Sequence, residues 1–224
     1  MKILLTGFDA FNGEKINPSS LILEKLSDNI DGHEIEKLML PTSFYKVKDL
    51  IEEKVLAFKP DIIISLGQAG GRSEITVERV AINIADASIS DNDGKKPIDE
   101  KIRLDGENAY FSSLPIKAIV ENLRENEIPA SVSNSAGTYV CNFVMYNDLY
   151  LAEKYKDVAA GFIHVPYLPA QVLDKRGMAS MSLGDMVRAV EIIIKTSIAY
   201  KDKEDLEKAE GRICWWLPNL LLFF

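Results

Sequence analysis

The run Asp61-Ile62-Ile63-Ile64-Ser65-Leu66-Gly67 decides the fold. Its apolar side chains fall on both parities of a short segment, so both faces must be covered. That is the pattern of a strand inside a parallel sheet with helices on either side. Upstream, KILL (2–5) is a second buried run that empties at Thr6-Gly7 into a loop, and Asn17-Pro18-Ser19 carries the signals of a helix start. HEIEKLML (33–40) alternates as a strand, and SFYKVKDLIEEKVLAF (43–58) has helical spacing at Val47, Leu50, Ile51, Val55 and Leu56. Downstream the alternation continues: VERVAINIAD (77–86) as a strand, LPIKAIVENLREN (114–126) as a helix, and ASVSNSAG (130–137) as a strand and loop. TYVCNFVMYNDLYLAEKY (138–155) reads as a helix, AAGFIHVPYLP (159–169) as a strand and LGDMVRAVEIIIKTSIAYK (183–201) as a final helix. Strands and helices alternating at this spacing predict one α/β domain over residues 1–200 with a largely parallel sheet.

The C-terminal stretch departs from this pattern. Residues 201–212 carry nine charges in twelve, and residues 213–224 (ICWWLPNLLLFF) are apolar at ten of twelve. Twelve residues interrupted by Pro218 are too short to cross a bilayer, which takes about 20. The expectation is a tail, disordered or at an oligomer contact, and no membrane partner.

The chain has 224 residues, 47% of them hydrophobic, enough for a substantial core. Its formal charge of −8 lacks the basic field that a phosphate backbone requires, so nucleic acid is excluded as a partner. Two cysteines, Cys141 and Cys214, do not make a disulfide framework, and MKILLTGF has none of the regions of a signal peptide. A reduced, cytoplasmic protein is expected. With only His33 and His164 beside those cysteines, no zinc-type spacing is available. Asp91-Asn92-Asp93-Gly94 with Glu100 is not a calcium loop, because Ile89 stands where the first carboxylate belongs. It reads as a turn, and the expected metal set is empty.

Any catalytic thiol or imidazole therefore comes from four residues. Thr138 is a natural N-cap, which places Cys141 in the first helical turn, where unsatisfied backbone N–H groups lower a thiol's pKa and can hold an oxyanion. His164 lies near the C-terminal end of its strand, where parallel sheets present functional groups, whereas His33 sits in the polar stretch DGHEIEK. Together these suggest a thiolate–imidazole pair. Glu78 in TVERVAIN shares a strand face with apolar Val80 and offers a carboxylate to orient the imidazole. The loop GQAGGR (67–72) follows the buried strand, and its spacing is that of neither a dinucleotide nor a phosphate loop. Its glycines allow a backbone to approach a small ligand, and Phe8 and Phe11 in the neighbouring loop could sandwich a flat ring.

TGFDAF…INPSS, GQAGGRSEITVERVAIN, SNSAGTYVCN and GFIHVPYLP, in this order and spacing, resemble the pyroglutamyl-peptidase I family over roughly residues 1–195. The resemblance implies an α/β/α sandwich around a twisted, largely parallel mixed sheet, often assembled as a tetramer. It implies a cofactor-free cytosolic cysteine peptidase acting on small peptides that begin with pyroglutamate. By the same resemblance Cys141 is the nucleophile, His164 the base and then acid, and Glu78 the orienting carboxylate. Phe8 and Phe11 would contact the lactam ring, Gln68 would lie where the lactam is recognised, and Asn17 would hold the first loop. The family's arginine is replaced by Ser88, and a proline by Ala10. Two other readings fit the same residues: a non-catalytic pyroglutamyl-binding paralogue, and a thiol hydrolase of another blocked N-terminus.

Overall fold

A computed structural model describes residues 1–155 and 157–206. Cys214 and the apolar stretch 213–224, with the tail expectation attached to them, lie outside the described residues. The elements run β1 (Lys2–Phe8), α1 (Pro18–Lys25), β2 (Asn29–Ile30), β3 (His33–Leu40), α2 (Phe44–Phe58) and β4 (Ile62–Gln68). They continue with β5 (Ile75–Glu78), β6 (Val80–Ile82), β7 (Ala109–Phe111), α3 (Ile116–Glu125) and β8 (Ala130–Ser133). After α4 (Val140–Tyr155) and β9 (Ala159–Val165), a 3₁₀ turn (Pro169–Gln171) leads to α5 (Leu183–Ala199).

The main sheet has the order β2-β3-β1-β4-β9-β5-β8. The β1/β3, β1/β4, β4/β9 and β5/β8 pairs are parallel, while β2/β3 and β5/β9 are antiparallel. The expected mixed, largely parallel sheet is present, and β4 lies at its centre because Ile62, Ile63, Ile64 and Leu66 all bury completely. Alternation sends these side chains to two cores. Ile62, Ile64 and Leu66 join Ile22, Ile119 and Ile193 of α1, α3 and α5. Ile63 joins Ile51, Val144 and Phe162 on the side of α2 and α4. The result is an α/β/α sandwich.

One expected strand divides. The sequence predicts a single strand over 77–86, but β5 ends at Glu78 and β6 pairs with β7 in a separate ribbon. Arg79 is the divider: its N–H reaches Ser133 O (2.8 Å) while its own carbonyl accepts from Ser112 N (2.8 Å). Beyond the last helix, the Asp205 carboxylate accepts from Lys117 N and Ala118 N (3.0 Å each). These are unsatisfied donors of the α3 N-terminus, so the beginning of the charged stretch is docked as a helix cap.

The functional geometry comes from the way β1 leaves β4. Their ladder ends at Thr6 and Ser65, whereas β1 stays paired with β3 as far as Phe8 and Leu40. The Phe8 N–H, which would extend the ladder, is taken by Ser19 Oγ (2.9 Å). β1 connects onward to β3 on one side, and β4 borders β9 on the other, so the gap sits where the strand order reverses. Crevices at the carboxyl ends of such strands are where open α/β sheets bind ligands.

Candidate active site

Three adjacent strands and one helix supply the site. Thr76 of β5 is the register partner of His164 on β9, and Glu78 lies two residues on, on the same face. The His164 Nδ1–H donates to Glu78 Oε1 at 2.7 Å, with both side chains buried. That bond occupies Nδ1 and leaves Nε2 as the nitrogen available for proton transfer.

On the other side of His164 its register partner is Gly67 of β4. A β-carbon built at Gly67 would stand 3.0 Å from Cys141 Sγ and 2.7 Å from the Phe162 ring. The absent side chain is thus the room in which the thiol sits, on the sheet face that carries His164 and beside it. Phe162 is the floor, its ring centroid 4.9 Å from that of His164 and 6.3 Å from that of Phe8.

Two expectations about Cys141 need correction. Thr138 is not its N-cap, because the Thr138 hydroxyl donates to Asp86 O (2.8 Å). The first intrahelical bond runs from Phe143 N to Tyr139 O (3.1 Å), so the cap is Tyr139 and Cys141 takes the second helical position. Nor is the thiol acidified. Burial pushes it up to about 12, the Glu78 charge adds to the rise, and Arg72 and a backbone hydrogen bond oppose it. A helix N-terminus contributes at most about 2 kcal/mol, and desolvation against Phe162 and the β4 backbone outweighs it.

Arg72 is a site residue that the sequence motifs did not single out. Its Nη1 donates to Glu78 Oε1 (2.7 Å), the same oxygen that receives His164, and also to Thr76 Oγ1. The signal was present as a lone cation six residues before the acid, with Thr76 between them. Burial alone would raise the Glu78 pKa, but the bond and charge of His164, aided by the Ser133 hydroxyl and then by Arg72, hold the carboxyl below its usual range. Glu78 Oε2 has no hydrogen-bond partner among the described residues. Ser133, its register neighbour, lies close enough for its hydroxyl to lower the Glu78 pKa and donates to Ser135 O (3.2 Å). The segment around exposed Ser88 is pinned to the start of α4 by Thr138 and by the Tyr139 hydroxyl on Ser90 O (3.1 Å). Among the described residues, the guanidinium paired with the Glu78 carboxylate is that of Arg72.

The remaining expected residues separate into two groups. Phe8 is 3% exposed and packs on Phe162, while partly buried Phe11 lies 6.2 Å from the Tyr139 ring. Asn17 is buried and acts on the loop. Its Oδ1 accepts from Ser19 N (3.1 Å) and Ser19 Oγ (2.8 Å), and its Nδ2 donates to Asp9 O (3.0 Å). Gln68, two residues beyond Leu66 on β4, projects its side chain to the Leu66 face of the sheet, opposite Cys141. There its Oε1 accepts from Gln171 Nε2 at 2.8 Å. Its main chain is another matter: Ala69 N–H reaches Val165 O (2.9 Å), so the Gln68 N–H and C=O face the gap between β4 and β1. His33 stands at the opposite, N-terminal edge of the sheet, its Nδ1 2.8 Å from the Met1 amino group.

Below the gap, Thr6 Oγ1 donates to Ser65 Oγ (2.7 Å), which donates to Asp148 Oδ2 (2.6 Å). Asp148 is two helical turns from Cys141 on α4, and burial pushes its carboxyl up to about 7. Asp91 confirms the turn reading of its segment. Its Oδ1 accepts from Asp93 N and Lys95 N, while its Oδ2 accepts from Phe44 N at the start of α2. Among the described residues no cluster of three or more His, Cys, Asp and Glu is arranged to hold a metal, and no helix is long and apolar enough to cross a membrane.

The chain is 54% identical over 212 residues to the pyrrolidone-carboxylate peptidase of Streptococcus suis (strain 05ZYH33), covering 94% of this chain and 99% of that protein. It is 54% identical over 215 residues to that of Clostridium botulinum (strain Alaska E43 / Type E3), covering 96% of this chain and all of the relative. Among solved structures, pyroglutamyl peptidase I of Bacillus amyloliquefaciens superposes with a TM-score of 0.86 at 42% identity, covering 92% of this chain and 99% of the other. Pyrrolidone carboxyl peptidase from Thermococcus litoralis gives 0.89 at 42% identity, with 92% and 98% covered. A family model described as pyroglutamyl peptidase matches residues 1–200, and the chain belongs to that family of cysteine peptidases.

Proposed function

We propose that the protein hydrolyses the bond after an N-terminal pyroglutamyl residue of small peptides, through an acyl-enzyme on Cys141. The observation that carries this reading is the 2.7 Å Glu78–His164 bond beside a thiol seated over Gly67, the register partner of His164. Because burial keeps the resting thiol protonated, attack is coupled to proton transfer rather than preceded by it. As Sγ bonds to the pyroglutamyl carbonyl carbon, its proton passes to His164 Nε2, and N–H groups at the start of α4 face the developing oxyanion. Collapse breaks the C–N bond, and the imidazolium gives its proton to the leaving amine. A water then attacks the thioester with His164 as base, releasing pyroglutamate and the thiol. Arg72 keeps Glu78 ionised, so Nδ1 retains its hydrogen and Nε2 remains the acceptor.

The lactam is neutral and offers one N–H and one C=O. The Gln68 backbone presents one acceptor and one donor toward the gap, and Phe8 and Phe11 supply apolar walls. A charged free amine there would lose its hydration without a counter-charge, which is the basis of selection for the blocked terminus. The setting proposed is a reduced compartment, in which Cys141 stays a free thiol.

The test is release of aminomethylcoumarin from its pyroglutamyl amide beside the glutaminyl and prolyl amides. Cleavage of the first alone is expected. A folded, reduced protein that cleaves none, or all three equally, overturns the proposal.

A further inference from the structure

The gap between β1 and β4 has no ladder bonds beyond Thr6 and Ser65, so the sheet does not fix its width. Among the described residues no hydrogen bond runs directly between the 9–17 loop on one side and Gln68 on the other. Both meet at Gln171, the last residue of the 3₁₀ turn after β9, which is 8% exposed.

The orientation of this amide is set by backbone groups. Gln171 Oε1 accepts from Leu168 N (2.9 Å), which turns Nε2 toward three acceptors: Gln68 Oε1 (2.8 Å), Ile16 O (3.3 Å) and Glu14 Oε2 (3.4 Å). One buried side chain thus joins the turn, the phenylalanine loop and the end of β4. Lys175, whose ammonium lies 4.2 Å from the Tyr167 ring centroid, pairs with the other oxygen of Glu14 and draws the same loop inward.

We infer that Gln171 sets the width of the lactam cleft and is thereby a specificity-determining residue that selects ring size. It touches neither the thiol nor the imidazole and works by positioning Gln68 and the 9–17 loop. The inference rests on the pyroglutamyl reading of the cleft and adds to it the residue that excludes a six-membered lactam. An amide tied to three segments resists widening, whereas the unpaired strand ends alone do not.

Two variants test it. Gln171→Met removes every tie at similar volume, and Gln171→Glu keeps the acceptor for Leu168 N–H but loses the donor arm. For both, KM for the pyroglutamyl coumarylamide is expected to rise about tenfold, the worth of one ordinary hydrogen bond. The preference for pyroglutamyl over the six-membered homologue, 6-oxopiperidine-2-carbonyl coumarylamide, should fall by a similar factor. The kcat for the five-membered ring and the rate of Cys141 alkylation should stay within about twofold, because the catalytic groups are untouched. An unchanged ring-size preference overturns the inference, as does a loss of kcat and alkylation that leaves the preference intact. Wild-type protein that cleaves neither ring overturns the functional reading itself, and the inference with it.

Discussion

Replacing Gly67 by alanine places a methyl group where the thiol now sits. Gly67 does not have a positive φ, so the backbone accepts alanine and the effect is steric. The new Cβ would stand 2.7 Å from Phe162 Cζ and 3.0 Å from Cys141 Sγ. Reaching ordinary contact at 3.4 Å requires displacements of about 0.7 Å and about 0.4 Å. Phe162 is fully buried between Phe8 and His164, so it passes part of its shift to the imidazole. Overpacking of this kind costs about 1–3 kcal/mol of stability, and misplacing reacting groups by a sizeable fraction of an ångström costs up to about 10²-fold in rate. The assay is kcat/KM on the pyroglutamyl coumarylamide, with a melting curve for each protein. Gly161→Ala is the control: its Cβ meets Ser112 Oγ at 2.5 Å and Leu114 at 2.7 Å, on the opposite face of the sheet. It should lose stability with far less loss of rate. A folded Gly67→Ala protein with wild-type kcat/KM would refute the placement of the thiol.

Arg72→Gln should lower kcat/KM about tenfold or more and move both half-maximal alkylation of Cys141 and the acid limb of activity to higher pH. The reason is that Arg72 lowers both the Cys141 and Glu78 pKa values, and pH profiles superimposable on wild type would contradict it. Asp148 holds its proton in the fold to about pH 7 but gives it up near 3.8 when unfolded, so its burial costs stability increasingly from about pH 4 to 7 and by a constant amount above. Asp148→Asn should therefore gain stability relative to wild type at pH 8 compared with pH 4, by an amount of order 4 kcal/mol at most. Denaturant midpoints that differ equally at the two pH values would exclude this. Asn17→Ala removes the α1 cap and the tie to Asp9, so it should cost about 1–2 kcal/mol and raise KM more than it lowers kcat. An unchanged midpoint and KM would show that Asn17 does not hold the loop.

The largely parallel sheet and its doubly covered strand were legible because Ile62, Ile63, Ile64 and Leu66 put apolar side chains on both parities, whereas the order of the strands was not. The Asn17 cap was legible for a similarly local reason, since Asn-Pro-Ser carries its own acceptor and a proline fit for the first turn. The Thr138 cap misled because the hydroxyl is claimed by Asp86 O, fifty-two residues away in the chain, and local propensity carries no record of that partner. The break at Arg79 has the same origin, because a strand of unbroken β propensity is divided by bonds to Ser133 and Ser112. The Cys141 pKa could not be read from the sequence at all. The helix N-terminus is visible in sequence, but the desolvation that defeats it comes from Phe162 and Gly67, brought together only by the fold. Gln171 and Arg72 were missed because each acts on another site residue rather than on the reacting atoms.

The central claim is that Cys141 carries the pyroglutamyl group during turnover. The measurement is intact-protein mass spectrometry of enzyme quenched in acid while hydrolysing an activated pyroglutamyl ester, with peptide mapping of the adduct and Cys141→Ser alongside. One pyroglutamyl acyl group on Cys141 in the wild type, no such thioester in Cys141→Ser and no turnover by that variant are the expected results. Undiminished hydrolysis by Cys141→Ser, or an adduct mapped to Cys214, would contradict the account.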